Sequence, residues 1–516
     1  MAFLMGTAMM TACSSSDDGG DDGIQVKGLT VEPTTLTFTK DGGTKTISAQ
    51  APQTATATSN AEWCVTTTGQ QSTETKVTPI SVVVAENNTT AERTAVITIT
   101  AGKESRQVTV TQEKGDEPTP DPTPEPTPDT TATFTATAKD IAPLMAPGWN
   151  LGNTMEAIGG ETAWQHTVTT QAVIDCVKAA GFNSVRIPCS WDIHSDSKGK
   201  IDTQWMNRVK EVVDYCVNDG LYVVLNDHWD NGWIEVLGFS KSKDSYQAID
   251  EATITAKTER LKDIWTQIAT VFKDYDEHLL FAGLNEPFQE YNLFNSRHQT
   301  LTPILCRYNK AFVEAVRATG GNNSQRTLVV QGPSTNIASS CQYMTADKLP
   351  EAAGRLMVEV HYYDPGQFCG TYSSKLSEGG IVYWGAANHV SGSNHNATWG
   401  EESSMKSEFA KLKTAYTSKG YPVIIGEYAA NQRNVEGIAG HDQAKHDASI
   451  KLFYKCVNEY ATNNGAVAFA WDTNYLAGLT TSDGSSTIID RANAKVVGDN
   501  AMEGIKAGCA AGHWPY

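Results

Sequence analysis

Phe281-Ala282-Gly283-Leu284-Asn285-Glu286-Pro287-Phe288 carries an apolar run that begins at Leu279 into an amide, a carboxylate and a proline. Residues 279–284 read as a buried parallel strand, because such strands are covered on both faces and lose the alternation of a half-exposed one. Pro287 has no N–H for a sheet ladder and biases Glu286 toward an extended backbone, so the strand stops with the Glu side chain at its rim. Taken alone, a Glu in such a place is ordinarily a solvated charge opening a loop. A second stretch of the same shape, Pro422-Val423-Ile424-Ile425-Gly426-Glu427-Tyr428, raises the question of whether both belong to one site.

Six more apolar runs flank these two: Gly148 to Asn153, Ser184 to Pro188, Leu221 to His228, Thr327 to Gln331, Met357 to His361 and Ala466 to Trp471. Amphipathic helical stretches separate them, for example Gln171 to Ala180, Trp205 to Val217 and Leu261 to Phe272. Eight strands alternating with helices predict an α/β fold, a (β/α)8 TIM barrel over residues 131–516, with long loops decorating one rim. The runs end in Asn150, Arg186, His228, Glu286, Gln331, His361, Glu427 and Trp471. In such a barrel these ends converge on the face where active sites lie.

Two carboxylates across a barrel mouth, with no nucleotide-binding loop and no Cys/His metal spacing, are what glycoside hydrolysis requires. One must be protonated to help the leaving oxygen depart, and the other ionised to attack the anomeric carbon. A separation of about 5–5.5 Å implies a covalent glycosyl-enzyme and retention, whereas a larger gap leaves room for water and inversion. No metal and no cofactor are expected.

The ordered set Val185-Arg186-Ile187-Pro188, Asn285-Glu286-Pro287, His361-Tyr362-Tyr363, Gly426-Glu427 and Trp471 resembles glycoside hydrolase family 5. Gly148-Trp149-Asn150-Leu151-Gly152-Asn153-Thr154 and Asp227-His228-Trp229-Asp230-Asn231-Gly232-Trp233 resemble its endoglucanase and xyloglucanase branch, subfamily 4; many relatives carry His-His where this chain has His228-Trp229. The resemblance implies that Glu286 is the acid/base and Glu427 the nucleophile. It further implies that Arg186 holds Glu427 ionised, Asn285 bonds the sugar 2-OH, and Tyr363 donates to the nucleophile. His228 and His361 orient the two carboxylates, Trp471 stacks under the distorted sugar, and Asn150, Trp229 and Trp233 support the substrate. Like-charge repulsion from Glu427 is expected to keep Glu286 protonated.

Ahead of the barrel the text changes character. In residues 1–23 a short apolar run precedes Cys13 and an acidic, Ser-rich tract, an order that resembles a bacterial lipoprotein signal with Cys13 lipidated and a surface-export tether of the Bacteroidetes kind. The expected location is therefore the cell surface, as an outer-membrane lipoprotein touching the membrane only through its lipid. Residues 24–114 alternate Thr, Val and Ser between Gly- and Asn-containing turns and predict a small all-β, immunoglobulin-like sandwich. Its Leu36-Thr37-Phe38, Asn60-Ala61-Glu62-Trp63-Cys64 and Val108-Thr109-Val110-Thr111-Gln112 resemble a BACON domain. With Phe38 and Trp63 its only large aromatics, a spacer is favoured over a sugar platform. Residues 115–130 repeat Pro, Thr and acid, an extended linker.

The net charge of −19 argues against nucleic acid or an anionic membrane as partner. Eleven of the twelve tryptophans follow residue 131, so stacking platforms for a polysaccharide are concentrated in the barrel. Trp149, Trp191, Trp229, Trp233, Trp384 and Trp399 fall at strand ends or in loops, and several of them are expected to line an open cleft, with Trp205 and Trp265 in the core. Cys176, Cys216 and Cys456 lie in helical apolar stretches, and few or no disulfides are expected. The leading reading is a monomeric endo-β-1,4-glucanase, with xyloglucan its preferred polymer over mixed-linkage glucan and cellulose. A β-mannanase and a noncatalytic glycan-capture lipoprotein are the alternatives.

Overall fold

A computed structural model of the chain describes residues 26–87, 89–115, 134–235, 250–289 and 295–516, with backbone alone at 239–240, 245–246 and 295–297. Cys13 and all but the first residue of the 115–130 linker lie outside the described residues. The chain divides into two compact units, Met1–Asp129 and Thr130–Tyr516.

In the first unit two four-stranded sheets form, one from Thr30–Glu32, Gly43–Gln50, Val77–Val84 and Cys64–Thr68, the other from Thr35–Phe38, Glu104–Gln112, Arg93–Ala101 and Thr56–Ser59. Alternation decides what each strand buries: Ile47, Ile80, Val82, Ile97, Ile99, Val108 and Val110 are all sealed from solvent. Phe38 is buried with them, and the Trp63 ring is covered by the Arg93 guanidinium at 4.4 Å. Neither of its two large aromatics therefore offers a free face to a sugar.

The second unit is the expected barrel. Eight parallel strands close in the order Gly148–Asn150, Ser184–Ile187, Tyr222–Asn226, Leu279–Ala282, Leu328–Asn336, Leu356–Tyr362, Val423–Tyr428 and Ala466–Ala470. Helices such as Gln171–Ala180, Thr203–Asn218 and Glu251–Val271 form the outer ring. Alternate residues face opposite ways along each strand, and the two sets have separate cores. One set, including Val185, Leu225, Phe281, Val330, Val358 and Ile425, packs against the helices. The other fills the barrel with Val224, Leu280, Ala282, Val329, Met357, Ile424, Val467 and Phe469, and Ile141 and Met145 of the helix Ala138–Met145 join this inner core.

Candidate active site

The inward-facing parity that places Val224, Leu280, Val329, Met357 and Ile424 in the barrel continues upward into polar residues. Two residues further along their strands stand Asn226, Gln331 and Glu359, then His361, while Arg186 and Asn150 hold the same parity on their own strands. All six are buried. A strand that kept strict alternation would turn Gly426 inward and Glu427 out. The register instead shifts, Val360 pairing with Ile425 but His361 with Glu427, so an irregularity at Gly426 brings Glu427 inward opposite His361. Gly426 cannot be another residue without rearrangement, since an added Cβ would lie 1.9 Å from Glu359 Oε1.

One guanidinium organises the layer. Arg186, wholly buried, donates through Nη1 to Glu427 Oε1 at 3.0 Å and Asn150 Oδ1 at 2.9 Å, through Nη2 to Asn285 Oδ1 at 2.6 Å, and pairs through Nε with Glu359 Oε1 at 2.8 Å. Asn285, its carbonyl thus occupied, keeps its NH2 to offer a ligand. Tyr363 donates its hydroxyl to the other Glu427 oxygen at 2.9 Å. Burial and the carboxylates of Glu427 and Glu286 hold that phenol far above its usual range, so it stays a donor.

His361 stands among three carboxylates. Its Nδ1 is 2.8 Å from Glu286 Oε1 and 3.6 Å from Glu427 Oε2, and its Nε2 is 3.3 Å from Glu359 Oε1. Burial works against charge on the ring, yet Glu427, Glu286 and Glu359 outweigh it and the imidazolium is held, its pKa pushed up to about 9. A cation therefore stands beside both carboxylates, where the sequence suggested like-charge repulsion alone. Oxygens of Glu286 and Glu427 and His361 Nδ1 all lie within 4.8 Å of one another. Burial pushes the Glu427 carboxyl up, only partly countered by His361 and Arg186. Burial also pushes Glu359 up, but Arg186, His361 and Gln331 outweigh it and leave the carboxyl below its ordinary value.

Several candidates occupy other places than expected. Asn150 and Gln331 face scaffold: Asn150 donates to Gly426 O at 2.8 Å, and Gln331 accepts from Leu284 N at 2.9 Å and donates to Glu359 at 2.7 Å. His228 orients neither carboxylate; it pairs through Nδ1 with the Asn226 amide at 3.2 Å and stacks on Trp471, centroids 5.9 Å apart. Burial, then Arg186 and His361, keep it neutral. Trp149, Trp191 and Trp384 are buried and line no cleft, because each indole N–H has an internal acceptor, Asp472 at 3.0 Å, Asn226 O at 2.8 Å and Gly400 O at 2.9 Å. Trp205 and Trp265 are buried, as expected of core residues, whereas Trp229 and Trp399 are exposed. Trp233 is half-buried and donates to Asp227 at 3.2 Å. All nine described cysteines are free. Glu359 was missed, although a charge inside the apolar run Met357-Val358-Glu359-Val360-His361, two residues before a histidine, was a visible signal.

Two depressions leave the mouth. One of about 470 Å³ is lined by Glu286, His361, Tyr363 and the segments after the fifth and sixth strands. The other, of about 530 Å³, is lined by Asn153, Tyr363, Trp471 and Tyr475.

A family model described as cellulase (glycosyl hydrolase family 5) matches residues 150–476, and a model described as a putative N-terminal binding domain, BACON, matches residues 53–113. A xyloglucan-specific endo-β-1,4-glucanase of Bacteroides ovatus is 31% identical over 494 residues, 92% of this chain and 91% of the relative. Endoglucanase A of Clostridium longisporum is 34% identical over 349 residues, 64% of this chain but only 61% of that relative's length. Among solved structures, a family 5 xyloglucan-specific β-1,4-glucanase from a ruminal metagenomic library, in complex with XXLG, is 73% identical, with a TM-score of 0.70 over 74% of this chain and 98% of its own. The family match runs through all eight strand ends that build the mouth, from Asn150 to Trp471, and takes in both carboxylates, and the chain belongs to glycosyl hydrolase family 5, with a BACON domain ahead of its barrel.

Proposed function

We propose that the protein is a retaining endo-β-1,4-glucanase acting on plant cell-wall glucans, with xyloglucan its main polymer. The observation that carries this is the placing of the Glu286 and Glu427 oxygens within 4.8 Å of one another, short of the wider separation that seats a directly attacking water in inversion. Glu427, aimed by Arg186 and Tyr363, attacks the anomeric carbon while Glu286, as general acid, gives a proton to the departing glycosidic oxygen. The glycosyl ester formed on Glu427 is then hydrolysed by a water that surrenders a proton to Glu286, which the imidazolium of His361 supports as an anion. Asn285 is placed to donate to the 2-OH, and Trp471 to stack beneath the ring bound to Glu427. Xyloglucan is favoured by the similarity to the ruminal and B. ovatus enzymes. The surface location rests on Cys13 and the acidic tract after it.

The test is viscosity loss and product release by the full chain on xyloglucan, barley β-glucan, carboxymethyl cellulose and galactomannan, with anomeric NMR of the first products. Rapid viscosity loss on xyloglucan with β-anomeric products is expected, and Glu427→Ala should lower turnover by roughly 10⁴-fold or more. Action on galactomannan alone would indicate a mannanase, and binding without turnover a capture protein. Membrane fractionation of Cys13→Ala tests the anchor; unchanged membrane association would overturn it.

A further inference from the structure

The reaction gives the mouth a direction. Glu286 must meet the departing oxygen, so the leaving-group sugars lie on its side, while the ring transferred to Glu427 lies over Trp471. The 470 Å³ pocket includes Glu286 but neither Trp471 nor Glu427, and so belongs to the leaving-group side. It passes Ser334, Asn336 and Tyr372 and reaches Asp364, Tyr362 and Glu408. Glu408 stands on the outer helix Glu402–Ala415, and the Tyr362 ring packs edge-on against Phe409 of that helix at 5.0 Å. The pocket therefore leaves the mouth outward, across the barrel wall, and has room for a pyranose ring.

Its walls suit a sugar. Tyr362 is 3% exposed, and its buried hydroxyl has no hydrogen-bond partner. Tyr372 is 52% exposed, yet its ring is seated over Gly366, where an added Cβ would lie 2.0 Å from a ring carbon. Asp364 presents a carboxylate that accepts from hydroxyls, as does the Glu408 oxygen not held by Lys411, which pairs with Oε1. An unbranched glucan crossing the mouth has no group to fill an outward pocket, whereas a sugar linked to O6 of its backbone does.

We propose that this pocket receives the O6-linked branch of a leaving-group glucosyl unit, so that Tyr372 and Asp364 select branched over linear β-glucan. The proposal rests on the endo-glucanase reading above. With the full chain, kcat/KM of Tyr372→Ala and of the more conservative Asp364→Asn is compared with the native enzyme on xyloglucan and on barley β-glucan. A loss of about 10-fold on xyloglucan with less than about 2-fold on β-glucan is expected. Equal losses on both, or none on either, would overturn it. Should the native chain hydrolyse neither, the glucanase reading fails by itself. Calorimetry then still reads the pocket: a xylosylated gluco-oligosaccharide should lose about 10-fold in affinity on Tyr372→Ala, its unbranched counterpart should not, and equal behaviour of the two would sink the assignment.

Discussion

The lower and upper layers of the barrel interior are built by the same alternation on the same strands, yet one carries no charge and is mostly apolar, and the other holds Arg186, Glu359, His361 and Glu427 out of water. The lower layer has few polar groups to satisfy, Ser184, which donates to Met145 O at 2.6 Å, and the Tyr222 hydroxyl; Leu280, Val329, Met357, Ile424 and Phe469 gain by leaving water. In the upper layer every charge is costly to desolvate and persists only because each has partners of opposite sign at hydrogen-bonding distance. Two layers of one scaffold thus divide the work, the lower supplying stability and the upper supplying chemistry at a stability cost.

The sharpest way to break this division is to perturb one residue in each layer. Glu359→Gln removes a buried charge from between Arg186 and His361, and should destabilise by about 3–5 kcal/mol while lowering kcat/KM by roughly 10²-fold or more. Leu280→Ala should cost a comparable ~2–5 kcal/mol but leave the shape of the pH–rate profile unchanged. Urea unfolding beside kinetics reads both; a changed profile in Leu280→Ala would show that the layers are not separable.

Gly426→Ala tests whether the register shift is needed, and should lower kcat/KM by about 10–10²-fold because Glu359 must give way. Tyr363→Phe should lower kcat/KM by about 10-fold and move its acidic limb to higher pH, since Glu427 loses a donor that favours its ionised form. An unmoved acidic limb would separate Tyr363 from the ionisation of Glu427. The smallest effect concerns stability against pH. The stabilisation that His361 contributes as a cation is present in full below pH 6.5 and lost as pH rises through about 9. His361→Gln should remove that part of the alkaline decline in melting temperature, and an identical decline would assign it to other groups.

Much of this could be read along the chain. Eight apolar runs with amphipathic spacers specify a parallel barrel because a strand covered on both faces must be apolar throughout, and strand ends then mark the site. Glu286, Arg186, His361 and Tyr363 followed from that reasoning together with the family resemblance. Reading only the ends hid Glu359, whose importance comes from parity, and left open which of the six tryptophans line the cleft; Trp149, Trp191 and Trp384 are buried because their indole N–H groups find acceptors elsewhere in the sequence.

The element types, their order and the chemical identity of the groups at the barrel rim are legible along the chain, since these depend on local periodicity and on which side chains can titrate. Which of them face inward together depends on how the strands pair. A shift in register at Gly426 turns Glu427 toward His361. The charge on His361 is set by Glu359, two residues away on its own strand, and by Glu286 and Glu427, which come from other strands and reach it only in the folded barrel.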